Sequence, residues 1–411
     1  MKVILAHPGQ QHSFKVAAAL KKSSYLGKYI TAVYDKDDNY AMRLARKLVR
    51  GNDINKIANR KCIELDDEDV KTYYSFLSLV VIILSRNKKT KKMSSWLDRK
   101  ISNWFGIKVA KYAIKNNADI VMCFSTNETT CFEYLKKHAP HIKRIVDYAN
   151  PPWKFMTYVF DNDCYAEQLK KEVPYYWDKK NVAIREKGQQ LTDFFIAPST
   201  FVKKGLQYCG VDESQIKVIP YGTNFEVCNN IQKIPTKVKF VYVGNVNYQK
   251  GVKYLLDAFC KYERLGIELN VVGAYDNCKD IYDQYSGFSN IHFYGRVNHD
   301  EVKSILLSSN VFVFPALAEG MSLACLEALS CGLPLLCSFN AGANDVICNG
   351  KNGFVFEYND KFTLEEKVLW FYNNPQSIPE FSKQALETAR SISWEFYQEN
   401  LKKELKKIMG N

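Results

Sequence analysis

The feature that most constrains the fold is a repeated alternation of short apolar runs with segments long enough to form helices. In the first half of the chain, apolar runs occur at residues 3–6, 118–124, 143–147 and 194–198. Runs of about four to eight apolar residues are typical of strands buried on both faces, and parallel strands need a long, usually helical crossover between them. The alternation therefore predicts an α/β fold with parallel sheets covered by helices.

The alternation stops at a loose stretch, residues 221–230, and then begins again. The second series of apolar runs comprises residues 238–244, 269–273, 291–295, 311–315, 334–337 and 353–356. Ligands of open α/β sheets bind outside the carboxyl ends of the strands, at the point where the strand order reverses. We therefore predict two doubly wound, Rossmann-like domains that face each other across a ligand-binding cleft.

The positive charge of the chain is confined to its first half. The 57 lysines and arginines exceed the 44 acidic residues by 13, and the excess is +15 in residues 1–225 against −2 in the remainder. The densest basic cluster follows an apolar run at residues 76–84. This run is shorter than the ~18 residues of a membrane span, so we expect it to form a buried or an interfacial helix. The basic and aromatic residues of this cluster are Arg86, Lys88, Lys89, Lys91, Lys92, Trp96, Arg99, Lys100, Trp104, Phe105, Lys108 and Lys111.

Basic residues interleaved with Trp and Phe are typical of segments that bind anionic membrane surfaces. They also occur on solvated helix pairs with tryptophan in the core, and both interpretations of the Arg86 to Lys111 segment stay open. No helix-turn-helix, zinc-finger or RNA-binding motif accompanies the charge, so nucleic acid is not expected as a partner. The twelve cysteines form no CxxC pair and the first apolar run is too short for a signal peptide, so we expect a cytoplasmic protein without zinc sites or disulfides.

The stretch most informative about chemistry is residues 314–334. A strand ends at Phe314, a loop holds Glu319, and a helix begins near Met321 or Ser322. The amides at the start of such a helix form an anion site suited to phosphate, and they belong to Gly320, Met321, Ser322 and Leu323. Glu327 lies further along the same helix among apolar residues; a buried carboxylate needs partners, and the two hydroxyls of a ribose can donate to it.

Glu319 and Glu327, with seven residues between them, resemble the E-x7-E motif of the retaining glycosyltransferases of family 4, which have the GT-B architecture. Other segments similar to that family are residues 196–203, 218–224, 241–251, 295–301 and 394–395. The resemblance runs from about residue 190 to the end of the chain, and before that only the architecture is similar. It implies an acceptor-binding domain over residues 1–222, a nucleotide-sugar domain over 223–394, and a helix over 395–411 that crosses back to the first domain.

The resemblance also implies roles for individual residues. It places the ribose of the donor on Glu327, the donor sugar near Glu319, and the diphosphate on Lys250 and the amides of the helix start. The residues of the second domain implied for donor binding are Gly244, Asn245, Lys250, Arg296, Glu319, Gly320, Met321, Ser322, Leu323 and Glu327. Asn245 stands where the family has Arg, so it supplies no positive charge, and Lys250 then carries more of the leaving-group stabilisation.

The first domain departs further from the family. The loop formed by residues 7–12 replaces a glycine-rich loop, and its Gly9 and Gln10 either approach the donor phosphates or form a plain turn. The nearest equivalents of the family's sugar-facing His are Asp147 and Asn150. Asp147 lies at the end of a strand, where it either faces the cleft or caps a turn. The catalytic set implied by the resemblance is therefore Glu319, Lys250 and Asp147.

The sequence thus predicts a retaining glycosyltransferase that moves a sugar from UDP or GDP to a hydroxyl of a glycan or lipid-linked acceptor, in polysaccharide or glycolipid biosynthesis. We expect no metal and no cofactor apart from the nucleotide-sugar co-substrate. Three Asp-x-Asp pairs are scattered along the chain, which favours surface loops over the metal site of the other glycosyltransferase fold. Of these pairs, only Asp161 and Asp163 follow a strand-like run, residues 157–160. The alternatives are a nucleotide-sugar 2-epimerase, a sugar phosphorylase, and a weakly catalytic membrane-bound partner in a polysaccharide assembly complex.

Overall fold

A computed structural model describes most of the chain. The described residues are 1–36, 38–43, 60–85, 87, 89–125, 127–223 and 225–410, with Lys361 described by its backbone alone. Arg86 and Lys88 of the predicted basic segment lie outside the described residues.

The first sheet contains seven parallel strands in the order β3-β2-β1-β4-β5-β6-β7. The central strand β1 pairs with β2 on one side and with β4 on the other, with Ile4 opposite Lys28 and Val121. All residues of β1 and β4 are buried, as their uninterrupted apolar sequences predict. The strands are β1 (Val3–Ala6), β2 (Leu26–Thr31), β3 (Val70–Thr72), β4 (Ile120–Phe124), β5 (Lys143–Asp147), β6 (Phe194–Ala197) and β7 (Ile216–Val218).

Helices connect these strands. Helix α1 spans Ser13–Lys22, as its sequence predicts. The helices that follow are α2 (Ser75–Ser85), α3 (Lys91–Lys115), α4 (Glu128–His138), α5 (Trp153–Asp161), α6 (Ala166–Glu172), α7 (Lys179–Gln190) and α8 (Thr200–Tyr208). The strand-like run at 157–160 belongs to α5, so the expectation of a strand before Asp161 is wrong. Its buried residues Phe155, Met156, Val159 and Phe160 follow the period of a helix.

The second sheet is also parallel, with six strands in the order β10-β9-β8-β11-β12-β13. The strands are β8 (Lys239–Val243), β9 (Glu268–Val272), β10 (Ile291–Gly295), β11 (Val311–Phe314), β12 (Leu335–Ser338) and β13 (Gly353–Phe356). The helices are α9 (Val252–Phe259), α10 (Lys279–Tyr285), α11 (His299–Leu307), α12 (Leu323–Ser330), α13 (Lys361–Asn373), α14 (Ile378–Ser391) and α15 (Trp394–Met409). In both sheets the strand order reverses beside the first strand of the domain, which creates the switch point where ligands of such folds bind.

Two segments join the domains. The connection between β7 and β8 contains the predicted boundary at residue 222, and α15 begins at Trp394, one residue before the predicted start of the returning helix. The buried residues of α15 include Tyr397, Leu401 and Leu405, and this helix packs along α1 of the first domain. Of the helices in the described parts of the chain, none is both long and apolar enough to span a lipid bilayer.

Candidate active site

A cavity of about 650 Å³ lies between the two domains, at the carboxyl ends of both sheets. The first domain contributes Gln11, His12, Ala149 and Asn150, and the connecting segment contributes Tyr221. The predicted donor-binding residues that line the cavity are Gly244, Asn245, Lys250, Arg296, Glu319, Met321, Ser322 and Leu323. The structure therefore brings together most of the predicted second-domain site, although these residues come from three separate loops.

The loop after β8 is shaped to present Lys250. The backbone amide of Lys250 donates to the side-chain oxygen of Asn247 at 2.9 Å, and the next residue, Gly251, is the N-cap of α9 in the left-handed conformation with φ of 67°. A side chain at Gly251 would meet the carbonyl of Pro315. Glycine thus allows the loop to lie directly against the end of β11 and carries Lys250 towards the loop that holds Glu319.

Lys250 and Glu319 form an ion pair in the cavity wall. Their side chains are 22% and 17% exposed, so water reaches both only in part. Burial lowers the pKa of Lys250 from its usual 10.5 to about 8, with Cys325 and Glu172 acting in the opposite direction. The amide of Glu319 donates to the carbonyl of Asn340 at 2.9 Å, which fixes the loop between β11 and α12.

Helix α12 begins at Leu323 with its first turn facing the cavity. Ser322 is the N-cap, and its hydroxyl accepts from the amide of Cys325 at 3.4 Å. Helix geometry leaves the amides of Ser322, Leu323 and Ala324 without intrahelical partners, and all three residues line the cavity. These amides, together with the positive end of the helix dipole, form a site for an anion.

Gly320 does not belong to this anion site. Its amide donates to the side-chain oxygen of Asn150 at 3.3 Å, and its carbonyl accepts from the hydroxyl of Ser199 at 2.5 Å. A side chain at this position would overlap the carbonyl of Ala149. Gly320 is therefore where the two domains touch, and the expectation that its amide serves the ligand is wrong.

Glu327 lies one helical turn behind the cavity wall formed by Leu323 and Ala324. It is half-buried, and burial raises the pKa of its carboxyl group, with His299 acting in the opposite direction. Glu327 itself does not line the cavity. Glu327 follows Leu323 by four residues and Ala324 by three, so it lies on the same face of α12 as these two cavity-lining residues.

In the first domain, His12 lines the cavity and the predicted residue Asp147 does not. Asp147 is fully buried, and its carboxylate lies 3.0 Å from Nε2 of His12. The hydroxyls of Tyr221 and Tyr397 donate to it at 3.5 and 3.3 Å. The expectation that Asp147 faces the cleft is wrong, because it lies behind His12, which is the residue that lines the cavity.

Gly9 and Gln10, which were predicted to approach the donor, do not reach the cavity. The amide of Gly9 donates to Nδ1 of His7 at 2.8 Å, and the carbonyl of Gln10 accepts from Ser13. Neither lines the cavity, whereas the next two residues, Gln11 and His12, do. The loop thus forms a turn at Gly9 and Gln10 and reaches the cavity at Gln11 and His12.

Further contacts tie the domains together around the cavity. The carboxylate of Asp345 in the second domain accepts from the amide of Thr200 at 2.6 Å and from its hydroxyl. Glu172 of α6 accepts from the amides of Tyr248 and Gln249 at 2.8 and 3.3 Å, within the loop that presents Lys250. Among the residues that the structure describes, no cluster of three or more His, Cys, Asp or Glu side chains is arranged to hold a metal ion.

Comparison with known proteins relates the second domain to a family. Residues 226–391 match the family model described as "Glycosyl transferases group 1". The UDP-Gal:alpha-D-GlcNAc-diphosphoundecaprenol alpha-1,3-galactosyltransferase of Escherichia coli is 35% identical over 173 residues, which are 36% of this chain and 43% of that protein. The chain spans about half the length of the curated relatives it matches, from 44% to 55% for the first three.

Solved structures agree with the whole two-domain architecture. A glycosyltransferase from Rickettsia africae has a TM-score of 0.65 at 16% identity and covers 100% of this chain and 99% of its own. Anabaena HepE in complex with UDP has a TM-score of 0.64 at 11% identity, with 99% and 100% covered. The fold is therefore the GT-B arrangement of two parallel-sheet α/β domains.

Proposed function

We propose that this protein is a glycosyltransferase that moves a sugar from a nucleotide-sugar donor to a hydroxyl group of an acceptor. The observation that carries the proposal is the site in the second domain. There, the Lys250–Glu319 pair faces the first turn of α12 across one cavity, within the segment that matches a glycosyltransferase family. A nucleoside diphosphate fits this cavity because both a cation and free helix amides are available to its phosphates.

The chemistry that we propose needs stabilisation of charge at two points. Breaking the bond between sugar and diphosphate leaves negative charge on the phosphate, which Lys250 and the amides of Ser322 and Leu323 offset. Glu319 lies beside Lys250, where its carboxylate can contact the donor sugar as positive charge develops there. We propose retention of configuration without a metal ion or other cofactor, with the departing phosphate accepting the proton of the attacking hydroxyl.

Because Asn245 is uncharged, binding of the donor diphosphate depends on the cationic side chains of the second domain. It lines the cavity without supplying charge, so among the cavity-lining residues Lys250 and Arg296 are the cations of this domain. We propose that the two share the diphosphate and nucleotide end of the donor. We propose UDP or GDP as the nucleotide, and the name of the Escherichia coli relative, which specifies UDP-Gal, supports the first.

We propose that the acceptor is a glycan or a lipid-linked sugar, bound by the first-domain wall of the cavity. The Escherichia coli relative is named for an acceptor linked to diphosphoundecaprenol, and such acceptors belong to polysaccharide biosynthesis. All twelve cysteines are unpaired, which fits a reducing compartment, and we place the reaction in the cytoplasm. Gln11, His12 and Asn150 are the polar side chains available to the acceptor in that wall.

The test begins with the donor. A thermal-shift screen of UDP- and GDP-sugars should identify one that raises the melting temperature, and slow hydrolysis of that donor should then be measured with and without a chelator. The matched variants are Lys250→Met, which removes the cation, and Lys261→Met, which removes an exposed lysine that follows α9 and pairs with Glu365 of α13. We expect the first variant to lose hydrolysis and the second to keep it.

Product analysis separates the alternatives. Nuclear magnetic resonance of the released sugar should show the anomeric configuration of the donor before mutarotation. An inverted product would contradict retention, and loss of activity with the chelator would contradict the metal-free proposal. Conversion of the donor into its epimer would identify an epimerase, and a donor left intact by wild type and variants alike would contradict the proposed activity.

A further inference from the structure

Helix α2 is apolar throughout and yet lies on the surface. Eight of its eleven residues are Phe, Leu, Val or Ile, and none of the eleven is buried. Leu79 and Ile82 pack in part against a small core of the first domain. Phe76 and Ile83 are instead 60% and 65% exposed, and their spacing of seven residues places them on one face of the helix, beside Leu79.

Helix α3 runs back along α2 and adds an aromatic face. The hydroxyl of Ser94 donates to the carbonyl of Val81 at 3.1 Å, and Ile101 and Phe105 are buried on the same side as Ser94. Met93, Trp96 and Trp104 are instead 51%, 61% and 45% exposed. At about 100° per residue these three side chains fall within about 80° of one another around the helix, so they form one stripe.

Positive charge surrounds this stripe without compensation. Among the described residues between Ser75 and Lys111, the exposed basic ones are Lys89, Lys91, Lys92, Arg99, Lys100, Lys108 and Lys111. None of them forms an ion pair with a described residue, and Asp98 is the acidic residue of the same span. Lys100 lies 6.0 Å from the ring centre of Trp96, in the middle of the aromatic stripe.

We propose that the α2–α3 hairpin, defined by residues 75–85 and 89–111, docks the protein on the surface of an anionic lipid bilayer. Exposed Phe, Ile and Trp side chains remove apolar surface from water when they enter the headgroup region, while lysines beside them keep their ammonium groups at the anionic surface. A folded protein partner would need complementary carboxylates around an apolar groove. The hairpin instead presents scattered apolar side chains among unpaired cations, which suits a fluid surface better.

This inference does not depend on the proposed transfer reaction, because it is tested by binding alone. Co-sedimentation of the full chain should be measured with phosphatidylcholine vesicles and with vesicles containing phosphatidylglycerol. We expect binding to the anionic vesicles that weakens as salt is raised. Each lysine at such a surface changes partitioning by about fivefold, so Lys91→Gln, Lys92→Gln and Lys100→Gln together should weaken binding on the order of 100-fold.

A matched variant controls for net charge. Lys279→Gln, Lys351→Gln and Lys383→Gln remove three exposed lysines of the second domain, and we expect this triple variant to bind like wild type. Phe76→Ser with Ile83→Ser tests the apolar face and should weaken binding by about tenfold or more; unchanged circular dichroism would show that it folds. Absence of binding to anionic vesicles, equal losses in the two lysine variants, or selective binding to heparin or nucleic acid would overturn the proposal.

Discussion

Protonation of Lys250 should govern how tightly the second domain holds a diphosphate. Burial lowers the pKa of Lys250 from 10.5 to about 8. At 1.36 kcal/mol per pKa unit, this shift corresponds to about 3 kcal/mol against the ammonium form in the empty site. A bound diphosphate brings negative charge to the ammonium and offsets this penalty. Near pH 8, where about half of the free protein carries a neutral amine, binding should therefore take up about half a proton.

Isothermal titration calorimetry in buffers of different ionisation enthalpy measures this uptake. Titration with UDP and GDP should show almost no uptake near pH 6.5, about half a proton near pH 8, and close to one proton near pH 9.5. Affinity should fall by up to about tenfold per pH unit above pH 8. The matched variant is Lys250→Arg, whose guanidinium stays charged throughout and should remove the proton uptake while keeping a cation in the site.

The same shift makes a prediction for stability, with a definite sign. Between about pH 8 and 10.5 the unfolded chain binds a proton at Lys250 that the folded protein has lost. The free energy of unfolding should therefore rise with pH across this window through this residue, and Lys250→Met should flatten the rise.

In the calorimetric titrations, proton uptake that is absent in wild type near pH 8, or that persists unchanged in Lys250→Arg, would refute the reasoning.

Three further predictions concern other parts of the site. Glu327→Ala should raise the KM for the donor about tenfold or more with a smaller effect on kcat, because a charged acceptor of hydrogen bonds is lost; an unchanged donor KM would contradict a ribose contact. Asp147→Asn should lower the free energy of unfolding by about 1–3 kcal/mol in urea titrations, because it alters a fully buried carboxylate that contacts His12, Tyr221 and Tyr397. His12→Asn should instead reduce activity with less effect on stability. Asp345→Ala should increase the radius of gyration measured by small-angle scattering, since it removes the contacts to Thr200 across the cleft. The control is Asp360→Ala, which removes a cap of α13 within one domain. An equal change in both variants would contradict a role of the Asp345–Thr200 contacts in holding the domains together.

The sequence predicted those features that neighbouring residues specify. The bounds of α1 follow from a turn and an apolar period within ten residues, and the start of α12 was placed within two residues of Leu323. The convergence of several second-domain residues on one cavity was predictable for the same reason. Glu319, Ser322 and Leu323 belong to one continuous stretch, so a single strand end and helix start bring them together.

Features that depend on packing between distant segments were not predictable in this way. The run at 157–160 has residues that favour strands, but its apolar side chains contact neighbours at the period of a helix, and tertiary burial outweighs the local preference. Gly320 carries an amide at a helix start, yet Asn150 from the other domain occupies it. His12 and Asp147 are 135 residues apart, and only the parallel pairing of β1, β4 and β5 brings the ends of their strands together.

The partners of Asp147 connect the first-domain wall of the cavity to the segments that join the domains. Tyr221 belongs to the connection between β7 and β8, and Tyr397 belongs to the returning helix α15. Trp394, at the start of that helix, stacks on Tyr221 at 5.9 Å between ring centres. Any rotation of one domain against the other must pass through these two segments, so it changes the surroundings of Asp147. Because Asp147 in turn contacts His12, we expect such a rotation to shift this first-domain side chain, which lines the cavity.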